Sequence, residues 1–244
     1  MNTPVEQFAA WLATPLGQYV RDSEAAWFDR TTVDIFGYKA VQLELPQMDC
    51  LRANRMPWRL IAGAAAGTQL ACQADALPLA SQSLDLLVLP HTLDFAADPH
   101  SVLREAERVL MPEGRLLITG FNPWSLWGLR RLKANEVAWQ GQFLAPQRLK
   151  DWLRLLDLQL LRGEFLCYRP PLQRKGWLEK SRFLERAGDR LWPAGGGVYC
   201  LDVVKRVSGM TIIEPEWRTV HVPARNAAAV VEKMRLQAEK DRCK

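Results

Sequence analysis

Leu84-Asp85-Leu86-Leu87-Val88-Leu89, followed by Pro90-His91-Thr92-Leu93 and then by Asp98-Pro99 and the run from Val102 to Leu110, is the stretch that decides how this chain folds. Six residues with a single interruption at Asp85 make an almost unbroken apolar run, the pattern of a parallel strand buried on both faces. Asp98 and Pro99 supply an N-cap and a first-turn proline, and Val102, Leu103, Ala106, Val109 and Leu110 form one apolar helix face. Met111-Pro112-Glu113-Gly114 is read as a stop and turn, and Arg115 to Phe121 as a second apolar strand. Strand, helix and strand in that order make a right-handed crossover if the strands are parallel.

The same alternation extends in both directions. Tyr38 to Leu45, Trp58 to Ala62 and Gln69 to Ala74 read as short strands separated by turns. Downstream, Pro146 with Leu149, Trp152, Leu153 and Leu156 marks a helix, Gln159 to Tyr168 a strand, and Val198 to Arg206 a last strand reached through Gly195-Gly196-Gly197. Upstream, Phe8, Trp11, Leu12, Leu16, Tyr19 and Val20 fall at helical spacing, giving two helices broken near Pro15 that are expected to cover the sheet. The expected organisation is an N-terminal helical cover over 1–37, an α/β domain over 38–210, and an extension over 211–244, irregular to Pro223 and helical from Ala224.

Bulk properties agree with a folded α/β protein. The 244 residues are 48% apolar and 24% charged, which excludes a disordered, collagen-like or disulfide-scaffold chain. No apolar run reaches the length of a membrane span, and the first residues lack the basic and apolar regions of a leader, so a cytoplasmic protein is expected. Cys50, Cys72, Cys167, Cys200 and Cys243 are scattered and never within CxxC distance, so neither a metal site nor a disulfide framework is expected. Net charge is +5 but uneven: residues 1–127 carry 9 Lys and Arg against 14 Asp and Glu, and residues 128–244 carry 23 against 13. A basic back half reads either as a surface for nucleic acid, protein or an anionic substrate, or as dispersed solvated helix faces.

Open α/β sheets bind ligands beyond the carboxyl ends of their strands. The residues in those places are Glu44 to Gln47, Gly63, Asp75 to Leu77, Pro90 to Leu93 and Phe121 to Ser125. Asp75 is placed either to accept a hydrogen bond from an adenine amino group or to form the turn before Leu77-Pro78. Asn122-Pro123-Trp124-Ser125-Leu126-Trp127-Gly128-Leu129-Arg130-Arg131 reads either as a capped helix start or as an acceptor site, with Asn122, Trp124, Trp127 and Arg130 lining it for an anionic or planar molecule. His91 is the histidine best placed for a chemical role; His100 falls in a first helical turn and His221 in the tail. No residue is assigned as catalytic.

Asp75-Ala76-Leu77-Pro78, the strand led by Leu84-Asp85, the post-strand Pro90-His91 and the helix ending Arg108-Val109-Leu110-Met111-Pro112-Glu113-Gly114 resemble class I S-adenosylmethionine-dependent methyltransferases of the small-molecule type. The likeness is close over residues 70–125 and loose from 38 to 206. It implies a Rossmann-like seven-stranded, mostly parallel sheet with flanking helices and the last strand antiparallel beside the fifth. It also implies S-adenosyl-L-methionine as cofactor, with Leu43, Glu44 and Leu45 in the first loop, Gly63 after the second strand, Asp75, Ala76 and Leu77 beside the adenine, and Pro90 and His91 lining the crevice.

The departures are in the first two loops. Glycine-free Leu43-Glu44-Leu45-Pro46-Gln47 stands where the family carries a glycine-rich loop, and no acid follows the second strand. Gly63 to Gly67 cannot supply the missing loop, since too few residues separate it from Asp75 for a crossover. Either the cofactor is held in a modified way, at an affinity weaker than about 100 μM, or the fold serves as a protein- or RNA-binding module without catalysis. Methyl transfer to a small-molecule acceptor is the leading expectation.

Overall fold

The computed structural model describes residues 4–131, 141–171 and 192–207, together with Glu185, Gly188, Arg190, Glu232, Lys233 and Arg235. It divides the chain into two compact units, Met1–Val207 and Ser208–Lys244. Glu232, Lys233 and Arg235 are helical; the rest of the expected C-terminal helix lies outside the described residues.

The first unit opens with α1 (Pro4–Trp11) and α2 (Pro15–Thr32), broken where Pro15 lacks an amide donor. Thr14 caps α2, its hydroxyl accepting from the Gly17 amide at 3.1 Å. Seven strands follow in chain order: β1 (Lys39–Leu43), β2 (Trp58–Gly63), β3 (Leu70–Ala71), β4 (Leu84–Pro90), β5 (Leu110–Phe121), β6 (Leu158–Leu166) and β7 (Val198–Lys205). Between them lie α3 (Thr92–Phe95), α4 (Pro99–Val109), α5 (Leu126–Arg131) and α6 (Pro146–Leu155).

The sheet order is β3-β2-β1-β4-β5-β7-β6. β1 to β5 pair in parallel, whereas β7 runs antiparallel to both β5 and β6. β4 is central, as its apolar run requires, and β7 is buried at every residue. Side chains alternate between two layers. On one face Ala40, Leu86, Val88, Leu117 and Phe121 meet Phe8, Trp11, Leu16, Val20, Trp27 and Phe28 of the N-terminal helices. On the other, Val41, Leu87, Leu89, Leu116 and Ile118 meet Val102, Leu103, Ala106, Leu149 and Leu153 of α4 and α6.

Two local expectations are corrected. β3 is only Leu70–Ala71, because the chain turns back at once, the Ala76 amide bonding the Gln73 carbonyl at 3.2 Å. Met111 to Gly114 does not leave the sheet: β5 begins at Leu110, opposite Leu84, and the register shifts before Leu86 pairs with Arg115.

The connection from β1 to β2, residues 44–57, contains turns but no helix. Buried Gln42 organises it. Its amide nitrogen lies at 3.0, 3.1 and 2.8 Å from the carbonyls of Glu44, Leu45 and Met48, and its oxygen accepts from the Cys50 amide. One side chain thus meets backbone groups that a helix would otherwise have paired.

Candidate active site

β1 and β4 are neighbours whose connections leave toward opposite sides of the sheet, so the crevice beyond their carboxyl ends is the topological switch point. Here the chain has folded over it. Glu44 and Leu45 take the left-handed conformation, φ 61° and 51°, which turns the backbone sharply off β1. The Glu44 carboxylate lies against the end of β2, accepting from the Ala64 amide at 2.8 Å and the Ala65 amide at 3.2 Å. Gly63 is what lets it in: a Cβ there would stand 2.5 Å from the Glu44 carboxyl carbon and 2.7 Å from each oxygen. The carboxylate that the second strand lacks is therefore delivered to its end from the first.

Across the switch point, Thr92 donates its hydroxyl to the Leu43 carbonyl at 3.3 Å, tying the end of β4 to the end of β1. His91, at φ 51°, begins α3 and points under the N-terminal helices. Its Nε2 lies 2.7 Å from Glu24 Oε1 of α2 and its Nδ1 lies 2.8 Å from Asp94 Oδ2. Phe8 and Phe121 pack on the imidazole at 4.9 and 4.4 Å between centroids. Burial alone would push the imidazolium down; the Glu24 charge and the hydrogen bonds to both carboxylates outweigh it and raise the histidine to about 10. Burial pushes the Asp94 carboxyl up, against the pull of His91 and the Phe121 amide.

His91 is thus a cation at neutral pH with both nitrogens engaged, and in this arrangement it has no lone pair with which to act as a base. Glu24 Oε2, Asp94 Oδ1, Thr119 Oγ1 and the Tyr199 hydroxyl lie buried around it with no hydrogen-bond partner among the described residues. Gly120 sits between two of these groups, its ideal Cβ position 2.4 Å from the Tyr199 hydroxyl and 3.1 Å from Asp94 Oδ1.

Of the residues the sequence pointed to, Leu43, Glu44, Leu45, Gly63, Leu77, Pro90 and His91 are buried; Asp75 and Ala76 are exposed. Asp75 has no side-chain partner among the described residues, and the neighbouring turn is pinned by the Leu77 amide donating to Glu105 at 3.0 Å. In the second loop, Asn122 donates to the carbonyls of Ala194 and Gly196 at 2.8 and 2.9 Å and accepts from the Trp124 amide. Trp127 is buried, its indole donating to the Arg169 carbonyl at 2.9 Å. Trp124 is exposed and Arg130 half-buried. Sequence reasoning missed Glu24, Asp94 and Tyr199. Glu24 lies on the same helix face as Val20, Trp27 and Phe28, which was the available sign that it is buried.

Residues 41–118 match a family described as "Methyltransferase domain". Over those residues, about a third of the chain, the sequence is similar to methyltransferase domains. Among curated proteins, the chain is 42% identical over 102 residues to the uncharacterized protein YafS of Escherichia coli, covering 40% of this chain and 42% of that one. It is 34% identical over 79 residues to the ubiquinone/menaquinone biosynthesis C-methyltransferase UbiE of Cereibacter sphaeroides, covering 31% and 32%. The aligned stretch thus spans less than half of either relative.

Solved structures share the fold. A SAM-dependent methyltransferase from Thermotoga maritima, described as a possible histamine N-methyltransferase, superposes with a TM-score of 0.58 at 15% identity, covering 78% of this chain and 91% of that one. A geranyl diphosphate methyltransferase in complex with GPP and sinefungin gives 0.53 at 12%, covering 75% and 77%. The Rossmann-like seven-stranded fold of this chain, mostly parallel with β7 antiparallel, is thus one it shares with solved methyltransferases. No described helix is long and apolar enough to cross a membrane.

Proposed function

We propose that this chain is an S-adenosylmethionine-dependent methyltransferase acting on a small-molecule acceptor at the β1–β4 switch point. The observation that supports it most is the Asp75 carboxylate, exposed and without a partner just past β3, within the stretch matched to the methyltransferase family. The residues suit the nucleoside half of the cofactor. Asp75 suits the adenine amino group and Leu77 the ring face, and the amide-held Glu44 carboxylate keeps acceptor capacity for ribose hydroxyls.

The amino-acid half fits poorly as the crevice stands, since the Thr92–Leu43 bond and the Phe8 ring over His91 close that side. Bound, the cofactor would supply an electrophilic methyl carbon. The chain's own part is to align the acceptor and exclude water, which does not require a general base. Trp124 is the exposed aromatic beyond β5 best placed to meet an acceptor.

A second reading, a methyltransferase fold retained for binding alone, is favoured by the internal engagement of Glu44 and His91. Calorimetric titration with S-adenosylmethionine and S-adenosylhomocysteine separates the two. The first reading expects saturable binding weaker than about 100 μM, near −5.5 kcal/mol, and a further loss of about 1–3 kcal/mol in a folded Asp75→Ala variant. No heat of binding at millimolar cofactor supports the second reading. Low-micromolar binding, or affinity untouched by Asp75→Ala, overturns the site assigned here.

A further inference from the structure

We propose that the edge of the sheet opposite the crevice binds single-stranded nucleic acid, a property independent of the methyl-transfer reading. The strand registers put a row of residues at the amino-terminal ends of the parallel strands. Lys39 pairs with Trp58, Ala40 with Leu86, and Leu86 with Arg115. The crevice residues Leu43, Gly63 and Pro90 end those same strands at the far side.

This row and the loop leading into it expose three aromatic side chains: Phe36 at 74%, Tyr38 at 76% and Trp58 at 41%. None of them stacks on another aromatic ring among the described residues, so their faces are open. The backbone that carries them is fixed. The Tyr38 and Lys39 amides both donate to the Asp85 carboxylate at 2.9 Å, and the Trp58 amide donates to the Tyr38 carbonyl at 3.1 Å. Asp85, the single polar break in the β4 run, is spent on holding this edge, and its negative charge is met by the two amides.

Cations flank the aromatic residues. Lys39 and Arg55 are exposed and make no side-chain hydrogen bond or ion pair among the described residues. The chain next to Phe36 then lines a cleft of about 250 Å³, where Ile35 and Asp34 meet Arg30, Arg115 and Arg162. Arg30 is held by Glu164 at 2.5 Å and Arg115 by both oxygens of Asp202, whereas Arg162 has no partner among the described residues. Arg162 follows a register shift in β6 between Leu160 and Arg162, the irregularity that brings Leu161 and Arg162 together to the cleft.

From β6 to β2 is five strand steps in the sheet order, about 24 Å at the usual strand spacing. Arg162 pairs with Asp202 and so lies level with Leu117 and Val88, two residues further along the strands than Arg115, so the surface runs from the edge up into the cleft. Open aromatic faces between unpaired cations give it the composition of a single-strand platform, on which bases stack and phosphates meet Lys and Arg without a sequence code. A duplex, whose bases are already stacked, gains only the charge contacts.

The test is fluorescence anisotropy on the full chain with labelled oligo-U and oligo-dT of about 12 nucleotides and a duplex of the same length. Measurements at about 50 and about 200 mM salt compare the wild type with a Phe36→Ala/Tyr38→Ala/Trp58→Ala variant and an Arg55→Glu/Arg162→Glu variant, each checked for its thermal transition. The proposal expects both single strands to bind more tightly than duplex, and each folded variant to bind about tenfold more weakly. The charge variant should also lose part of the salt dependence. A preference for oligo-U or oligo-dT would say which nucleic acid the edge serves. Absence of binding at the lower salt, equal binding of duplex, or unchanged binding by both variants overturns it. So does salt-insensitive dimerisation of the wild type abolished by the aromatic variant, which would make the edge a contact between copies. Should the aromatic variant fail to fold, the charge variant and the duplex comparison decide alone.

Discussion

Replacing Glu24 by Gln keeps the shape of the side chain and removes one of the two charges that hold His91 as a buried cation. In the folded chain the histidine is raised to about 10, against an ordinary value of about 6.5. A group whose folded pKa is raised stabilises the fold fully below its unfolded pKa and loses that contribution as pH climbs through the folded value. The window is therefore pH 6.5 to 10, with stability falling by up to about 1.4 kcal/mol per pH unit. The gap is worth about 5 kcal/mol if wholly realised. Asp94, whose carboxyl is itself pushed up by burial, gives back part of it.

Glu24→Gln leaves the imidazolium with Asp94 alone, and breaking a buried pair from one side costs about 3 kcal/mol or somewhat more. At pH 7 that is a drop of about 6–12 °C in the melting temperature of a chain this size. Urea unfolding followed by tryptophan fluorescence at several pH values between 6.5 and 10 reads both quantities. The variant should be less stable by about 3 kcal/mol at the low end, and the difference should shrink toward the high end. A variant within about 1 kcal/mol of wild type at pH 7, or one with the same slope against pH, would refute the charged-histidine account.

Two further substitutions probe the loops. Glu44→Ala strands the Ala64 and Ala65 amides and should cost about 2 kcal/mol in urea unfolding; no change would mean that water replaces the carboxylate without loss. Asn122→Ala removes the donors to Ala194 and Gly196 and should cost about 2 kcal/mol, with hydrogen exchange speeding at Trp124, whose amide Asn122 accepts. A fully stable variant would return Asn122 to the acceptor site as its main role.

How much of this was legible depends on the range of the interaction. Leu84–Leu89 announced a central strand because burial on both faces leaves an apolar run that no turn explains, and Asp98-Pro99 announced α4 because caps act within one turn. The place of β7 came from the family likeness, and the glycines before it agreed. The site was harder. His91 could be placed after β4, but its partner Glu24 lies 67 residues away, so its engagement under α2 is a tertiary fact. Glu44 was visible as an intruder in a glycine position; that it turns back onto the end of β2 depends on Gly63, whose role appears only when the strands are side by side. Tyr38 read as the first residue of a strand, and nothing local marks it as exposed.

β7 is the last strand in the first unit and yet lies inside the sheet, between β5 and β6. During synthesis, β5 emerges with β4 already available on one side, but its other edge stays bare for the roughly eighty residues until Val198 leaves the ribosome. β6, complete at Leu166, has nothing to pair with for the last thirty or so residues of that interval, because β7, its one neighbour among the described strands, has not been made. The nascent chain therefore carries one unpaired strand edge for about a third of translation and both strands unpaired for its last thirty or so residues, and a product truncated between Leu166 and Val198 would keep both that way permanently. Chaperone contact should concentrate on those edges, and premature termination in this region should yield aggregates rather than a smaller soluble domain.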